Sequence, residues 1–366
     1  MRYDLSKLPL EDLLAPTAAA TATLARLDER VRRSNEGEGW LARAHFFDAC
    51  ASLWIDGELV HLEDLVLHDA GMGVRRPSHE LTIAQDILRS RRRIVSHPPG
   101  WAFSAEGLRQ LRRGEEELEP ALEVKSIPQP ANFFDHEDDE EPLAIELAEI
   151  DAVLARSERL LAAAKGTVSS GLKSERDALV YEPDWDEDER LGEWQRSLKD
   201  SDGLPPVVRA ALLLDAWNKL QVLQHAPWLG RLLAAAIMQE AGLTASYLLP
   251  ISHGLKQVPR QKRTHRDRDT RLLALIEAMQ EAAELGLREH DRLLLARQQM
   301  QHRLTGRRSS SKLPQLIDLV LSRPIVSTGM IVETLSVTPQ GALKIASELN
   351  LRELTGRGRF RAWGVL

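Results

Sequence analysis

The sequence predicts a mainly α-helical protein in which strands are confined to a small C-terminal domain. Three observations support this fold class. Leu, Ala, Arg and Glu dominate the composition and favour helices, runs of β-branched residues are few, and apolar residues recur at helical spacing from residue 5 to 304. With 366 residues, of which 43% are hydrophobic, the chain is long enough for two or three domains.

The composition also limits the class of protein. Cys50 is the single cysteine, so neither a disulfide framework nor a thiolate zinc site can form within the chain. No apolar run approaches the ~18–20 residues that a membrane span needs, and the acidic N-terminus does not resemble a signal peptide. We therefore expect a cytoplasmic protein that makes no contact with a membrane and needs no cofactor.

Residues 1–125 are predicted to form an N-terminal helical region. A first helix ends near Ser34, where Asn-Glu-Gly-Glu-Gly follows, and a second runs from Trp40 to Trp54 and stops at Gly57. A short helix over LEDLVL comes next, and Ser78 is suited to cap another helix. His61, Asp64 and His68 could line one face of the short helix. A solvated face is the more common reason for such a pattern, and we predict no metal site.

The middle of the chain is predicted to be an acidic linker followed by a helical core. Residues 126–142 contain three prolines and a run of acidic residues, a composition typical of a solvated linker. Residues 143–304 form the core, in which two helices are apolar nearly all round and are therefore expected to be central. Residues 305–312 have the composition of a hinge.

Charge is distributed unevenly along the chain. Residues 250–366 carry 20 Lys and Arg against 11 Asp and Glu, a net charge of +9, whereas residues 1–249 have a net charge of −16. A basic C-terminal part on an acidic body suggests contact with nucleic acid, although an ordinary surface charge distribution can give the same pattern.

Residues 313–366 are predicted to form three short helices and a two-stranded hairpin. The first helix runs from Pro314 to Ser322, and the second is capped by Ser327-Thr328 and runs to Leu335. The third begins at Thr338, which caps it ahead of Pro339. A tight turn separates the second and third helices, and two short strands follow. This order is that of a winged helix-turn-helix, so we predict double-stranded DNA as the partner.

The third helix has the spacing of a recognition helix. Ala342, Ile345 and Leu349 are expected to face the core. Gln can pair with adenine, and Lys can reach guanine or phosphate, in the major groove. The candidate DNA contacts in this helix are Thr338, Gln340, Gly341, Leu343 and Lys344.

The predicted wing is rich in arginine. Leu351–Leu354 and residues 359–365 would be its two strands, and Arg357, Arg359 and Arg361 would contact phosphates or the minor groove.

Two motifs in the body follow a known pattern. Ser52, Asp56 and Gly57 match a motif of Ser or Thr, three residues, Glu, then Gly or Asn, with Asp in place of Glu. Residues 216–252 are similar to a helix pair with the signature HPFxxGNGRxxR followed by Leu-Leu. In the order of these motifs, and in its C-terminal winged helix, the chain resembles Fic-family proteins, which transfer AMP or related groups to target hydroxyls. The resemblance implies that Ser52, Asp56 and Gly57 correspond to the motif of the family's N-terminal inhibitory helix.

The resemblance also implies that the transfer chemistry is lost. When the signature is aligned on Arg231, Leu220 occupies the position of the catalytic His, which acts as the general base in the family. Gln224 occupies the position of the acidic residue that holds magnesium. His225 begins the segment that replaces Gly-Asn-Gly-Arg. We therefore predict a Fic-like helical bundle that is not an enzyme. In this bundle the inhibitory role of Asp56 is vestigial, or Asp56 caps an N–H group at the helix junction.

Three hypotheses for function follow. The first is a DNA-binding transcriptional regulator whose inactive Fic-like body serves homodimerisation or sensing. The second is a divergent nucleotidyl (AMP) transferase. The third is a protein–protein adaptor or an antitoxin-like partner.

Overall fold

The computed structural model describes residues 3–5, 8–72, 76–113, 185–304, 312–355 and 361–365. Residues 1–114 and 186–366 belong to one compact unit. The predicted acidic linker, the beginning of the predicted core and residues 305–311 of the hinge lie outside the described residues.

The N-terminal part is helical, as the sequence predicts. Gly57 ends the second helix, α2 (Gly37–Asp56), in a left-handed conformation (φ 97°) and donates its backbone N–H to the carbonyl groups of Leu53 and Trp54. The Ser78 hydroxyl accepts a hydrogen bond from the backbone N–H of Leu81 and so caps α4. The helices are α1 (Leu10–Arg33), α2 (Gly37–Asp56), α3 (Leu62–Asp69), α4 (His79–Ser96) and α5 (Ala105–Arg113), with a 3₁₀ turn at Trp101–Phe103 before α5.

The helices after residue 186 pack with the N-terminal helices in one body. Two of them, α7 (Pro206–Leu220) and α8 (Leu229–Glu240), are buried on nearly all sides, as their apolar sequences predict. A Cβ atom at Gly230 of α8 would lie 2.3 Å from the Trp217 ring, so only glycine allows this close packing on α7. The helices are α6 (Glu187–Asp200), α7 (Pro206–Leu220), α8 (Leu229–Glu240), α9 (Ile251–Leu255), α10 (Arg260–Arg263) and α11 (Arg268–His302).

The longest described helix, α11, organises the body. Its 35 residues span about 52 Å, and it packs along α1 and α2 and against α9. Near its start, Arg271 makes a buried ion pair with Asp215 of α7, with Nε 2.6 Å from the carboxylate. Toward its other end it contacts the C-terminal domain.

The C-terminal domain contains three helices and a pair of short antiparallel strands. In that pair Val326 lies opposite Trp363 and Ser327 opposite Ala362. The second segment of the predicted wing, which contains Ala362 and Trp363, therefore pairs with residues that lie just before the second helix of the domain. The first segment of the wing also pairs with it, through an antiparallel bridge between Glu353 and Trp363. The elements are α12 (Leu313–Ser322), β1 (Val326–Ser327), α13 (Thr328–Leu335), α14 (Pro339–Glu348) and β2 (Ala362–Trp363).

The predicted fold class is confirmed. In the described part of the chain the structure is mainly α-helical, and β1 and β2 form its one sheet. Among these residues, no helix is both long and apolar enough to cross a bilayer.

Candidate nucleic-acid interface

The third helix of the C-terminal domain, α14, begins as its sequence predicts. Ser336 adopts a left-handed conformation (φ 51°) and makes the tight turn after α13. The Thr338 hydroxyl then accepts a hydrogen bond of 3.1 Å from the backbone N–H of Gly341, which caps the helix next to Pro339.

The buried face of α14 differs by one position from the prediction. Ala342 and Leu349 are buried as expected, whereas Ile345 is half-buried and Ala346 is buried instead. Positions 342, 346 and 349 follow the i, i+4, i+7 spacing of one helix face, so the core lies slightly further round the helix than the sequence predicts.

The candidate DNA contacts on α14 are therefore not equivalent. Gln340 and Lys344 are exposed one turn apart on the outward face, next to the exposed cap residue Thr338. Gly341 is half-buried. Leu343 is also half-buried and packs against the hydrophobic core, so its side chain does not point fully outward as expected.

The wing arginines also differ from one another. Arg361 donates to the Glu353 carboxylate from Nε (2.9 Å) and Nη2 (2.5 Å), and its guanidinium lies 5.6 Å from the centre of the Trp363 ring. This pairing raises the pKa of Arg361. The Arg361 side chain is still 41% exposed, but its guanidinium already has a carboxylate partner within the wing. Arg357 and Arg359 lie outside the described residues.

A buried arginine joins the C-terminal domain to the body. Arg43 of α2 donates to the backbone carbonyl groups of Val320 (3.1 Å), Leu321 (2.7 Å), Arg323 (2.8 Å) and Val365 (2.7 Å). Burial lowers the pKa of Arg43 to about 10, so the side chain is still charged at neutral pH. The guanidinium thus satisfies the free carbonyl groups at the end of α12.

Further contacts fix the same joint. A Cβ atom at Gly39 would lie 1.9 Å from the Leu321 carbonyl oxygen, so glycine is required where α2 meets the end of α12. Arg297 of α11 bridges Glu36 and Asp318, with 2.6 Å to Asp318, and Arg303 donates to the carbonyl of Leu349. The body therefore contacts α12 and the C-terminal end of α14, while Gln340 and Lys344 stay exposed.

The basic segment 256–271 lies at the opposite end of the body. Lys256 and Arg263 lie over the ring of Trp54, at 5.4 and 6.0 Å from its centre, near the end of α2. The part of α11 from Arg268 to Arg297 spans about 43 Å, so this segment lies far from the contact that Arg297 makes with Asp318 of the C-terminal domain.

The Fic-like motif residues come together in the body. Arg231 of α8 makes a two-pronged ion pair with Asp56, with Nη1–Oδ1 at 3.0 Å and Nη2–Oδ2 at 2.5 Å. It also donates to the Ser52 hydroxyl from Nη2 at 2.7 Å. The Asp56 carboxylate thus binds Arg231 rather than capping the helix junction, where the backbone of Gly57 makes the cap.

The residues aligned with the Fic signature lie at the end of α7 and in the loop before α8. Leu220 is buried in the last turn of α7, and Gln224 follows in the loop. His225 Nε2 lies 3.3 Å from the Arg112 carbonyl oxygen, and its Nδ1 lies 3.4 Å from Glu187. Across the described ranges, no three His, Cys, Asp or Glu side chains are grouped so that they could hold a metal ion.

Two family models match separate parts of the chain. The three helices, the short sheet and the exposed α14 define a helix-turn-helix protein, and residues 313–366 match a family described as "HTH DNA binding domain". Residues 179–305 match a family described as "Protein of unknown function (DUF1612)".

A relative covers the whole chain. The "Uncharacterized protein y4cF" of Sinorhizobium fredii (strain NBRC 101917 / NGR234) is 52% identical over 380 aligned positions, which span 100% of both chains. The chain belongs to the same family as y4cF.

Proposed function

We propose that the protein is a transcriptional regulator that binds double-stranded DNA through the outward face of α14. The observation that carries this proposal is the exposure of Gln340 and Lys344 one helical turn apart, while the opposite face of α14 is buried and the domain is fixed to the body. Both side chains can read base edges in the major groove. Residues 313–366 carry six Lys and Arg against four Asp and Glu, a net charge of +2, which is compatible with contact to the DNA backbone.

A salt series tests whether DNA is bound at all. Fluorescence anisotropy with a random-sequence duplex should give a log affinity that falls linearly with log salt, by about 0.9 for each phosphate contact. Lys344→Ala should change this binding as little as the control Lys199→Ala, at an exposed position of α6, because a contact to a base edge exists only where the right base is present. An absence of duplex binding at low salt would contradict the proposal and would favour the protein–protein adaptor.

We also propose that the body is a Fic-like helical bundle without transfer activity, which serves dimerisation or sensing in the cytoplasm. The contact of Asp56 and Ser52 with Arg231 supports this, because it joins the inhibitory-type motif to the one arginine that the alignment retains. Loss of activity is inferred from the aligned residues. Leu220 cannot act as a general base, and the amide of Gln224 lacks the charge of an acidic magnesium ligand.

A labelling assay tests the inactive body. Incubation with radiolabelled ATP or CTP and magnesium should label neither the protein nor an added target. Labelling that disappears in His225→Ala would overturn the proposal, because it would make His225 a displaced catalytic base. Arg196→Ala, an exposed change on α6, is the control for general effects of substitution.

A further inference from the structure

A cavity of about 370 Å³ lies between α2, α9 and α11. Trp40, Ala44 and Phe47 line it from one face of α2, and His253 lines it from α9. The residues from α11 include Gly286 on its wall and Arg288, Glu289 and Arg292. Its volume is at the lower end of the range for pockets that hold small organic molecules.

The walls of the cavity are aromatic and well fixed. The Trp40 indole donates from Nε1 to the carbonyl of Gly286 at 2.9 Å and packs edge-on against Tyr247. The Phe47 ring lies nearly parallel to the His253 imidazole, with centres 5.7 Å apart and an angle of 19°. Flat, rigid walls of this kind favour a planar ligand.

Burial lowers the pKa of His253, so its imidazole is neutral near pH 7 and offers one donor and one acceptor.

The charged residues of the cavity leave one cation weakly paired. Glu289 accepts from Nε (2.7 Å) and Nη2 (2.5 Å) of Arg292, so these two charges neutralise each other. Arg288 is 60% exposed, and its nearest carboxylates, Glu284 and Glu281, are 3.8 and 4.0 Å away, beyond hydrogen-bond distance. Its guanidinium can therefore turn to bind an anionic group.

The helix that lines this cavity also holds the winged helix. Arg43, which binds the carbonyl groups at the end of α12, lies on α2 between Trp40 and Ala44. The charge of Glu289 raises the pKa of Arg43, and the charge of Arg292 lowers it, so both residues interact with the Arg43 guanidinium. A ligand that displaces either side chain would alter the surroundings of the joint.

We propose that this cavity binds a small planar carboxylate, and that its occupancy is coupled through α2 and Arg43 to DNA binding by the C-terminal domain. The coupling rests on the proposed DNA-binding function, whereas the ligand site itself does not.

Isothermal titration calorimetry of the full chain with 2-naphthoate, and with 2-naphthamide as the neutral isostere, tests the site without DNA. We expect 2-naphthoate to bind with a dissociation constant of about 0.1 mM or tighter. The acid should be preferred over the amide by about tenfold. Arg288→Gln should remove this preference, and Ala44→Leu should abolish binding by filling the cavity. The matched control Arg196→Gln, at an exposed ion pair on α6, should leave binding unchanged.

Two results would overturn the site: no binding of 2-naphthoate at 2 mM, or an acid preference that persists in Arg288→Gln. Because Arg288 is exposed, this variant should fold even if Ala44→Leu does not.

The coupling is tested by repeating the duplex titration with saturating 2-naphthoate. We expect the DNA dissociation constant to change at least threefold, and the affinity for 2-naphthoate to change by the same factor when DNA is present. Ligand binding with an unchanged DNA affinity would overturn the coupling. A protein that binds 2-naphthoate but no DNA would refute the proposed function and leave the ligand site standing.

Discussion

At the scale of single residues, buried charged and ionisable groups tie distant parts of the chain together. Arg43 satisfies carbonyl groups that are 277 to 322 positions away along the sequence. Its loss would leave several buried carbonyl groups without a donor, at a cost of about 1–3 kcal/mol each. Asp48 acts in a similar way, since it accepts from Arg91 and from the backbone N–H groups of Ser252 and His253.

His45, next to these groups, should make stability depend on pH. Burial and the nearby charges of Arg91 and Arg92 lower the pKa of His45 to about 3, against about 6.5 for an unfolded histidine. Between pH 6.5 and 3 the unfolded state therefore binds more protons than the folded state, and the free energy of unfolding falls as the pH falls.

We predict that replacing His45 with Gln will make this fall less steep. Below pH 6, the slope of the free energy of unfolding against pH should be smaller in the variant than in wild type by up to about 1.4 kcal/mol per pH unit, the value for one proton. Urea unfolding at several pH values from 7 to 4.5 measures both slopes. His79→Gln, at an exposed residue in the first turn of α4, is the matched control. Equal slopes for wild type and His45→Gln would show that folding does not lower the pKa of His45.

At the scale of secondary-structure elements, the wing is held by its own ion pair. The guanidinium of Arg361 is bound to Glu353, and its backbone carbonyl accepts from the N–H of Thr328 at 3.1 Å. This arrangement connects the wing to the start of α13. The three arginines of the predicted wing should therefore contribute unequally to DNA binding.

We predict that Arg357→Ala combined with Arg359→Ala will reduce the slope of log affinity against log salt by about 1.8, if each contacts one phosphate. Arg361→Ala should leave the slope unchanged, because its guanidinium is bound to Glu353. Duplex titrations at several salt concentrations measure both. An equal reduction by Arg361→Ala alone would mean that the ion pair opens to contact DNA.

The elements that could be predicted from the sequence are those set by local interactions. Ser78, Ser327 and Thr338 cap their helices, and Gly57 ends α2, because each of these bonds reaches only a few residues along the chain. The predicted hairpin also forms: the N–H of Leu354 donates to the carbonyl of Ala362 at 2.8 Å, and Arg361 contacts Glu353 across the hairpin. The pairing of β2 with β1 is not predicted by the sequence, because it depends on how the hairpin packs against a segment that precedes α13.

At the scale of the whole molecule, the body and the C-terminal domain are connected by charged side chains from α2 and α11. The Ser52, Asp56 and Arg231 cluster lies toward the other end of α2 from this joint. The sequence singles out Ser52 and Asp56 through one motif and Arg231 through a second, because the spacing within each motif follows a recognisable pattern. It could not identify Arg43, Gly39 or Arg297 as joint residues, because their partners lie in a different domain.

The most direct measurement of the central claim compares one variant on two kinds of DNA. A preferred duplex is first selected from a random pool with the wild-type protein, and Gln340→Ala is then titrated against the preferred and a random duplex. We predict a loss of about 1–3 kcal/mol on the preferred duplex and almost none on the random one, because base contacts exist only where the right base is present. The matched control Gln315→Ala, at an exposed position of α12, should bind both as wild type does. An equal affinity of Gln340→Ala and wild type for the preferred duplex would contradict a role for α14 in reading DNA.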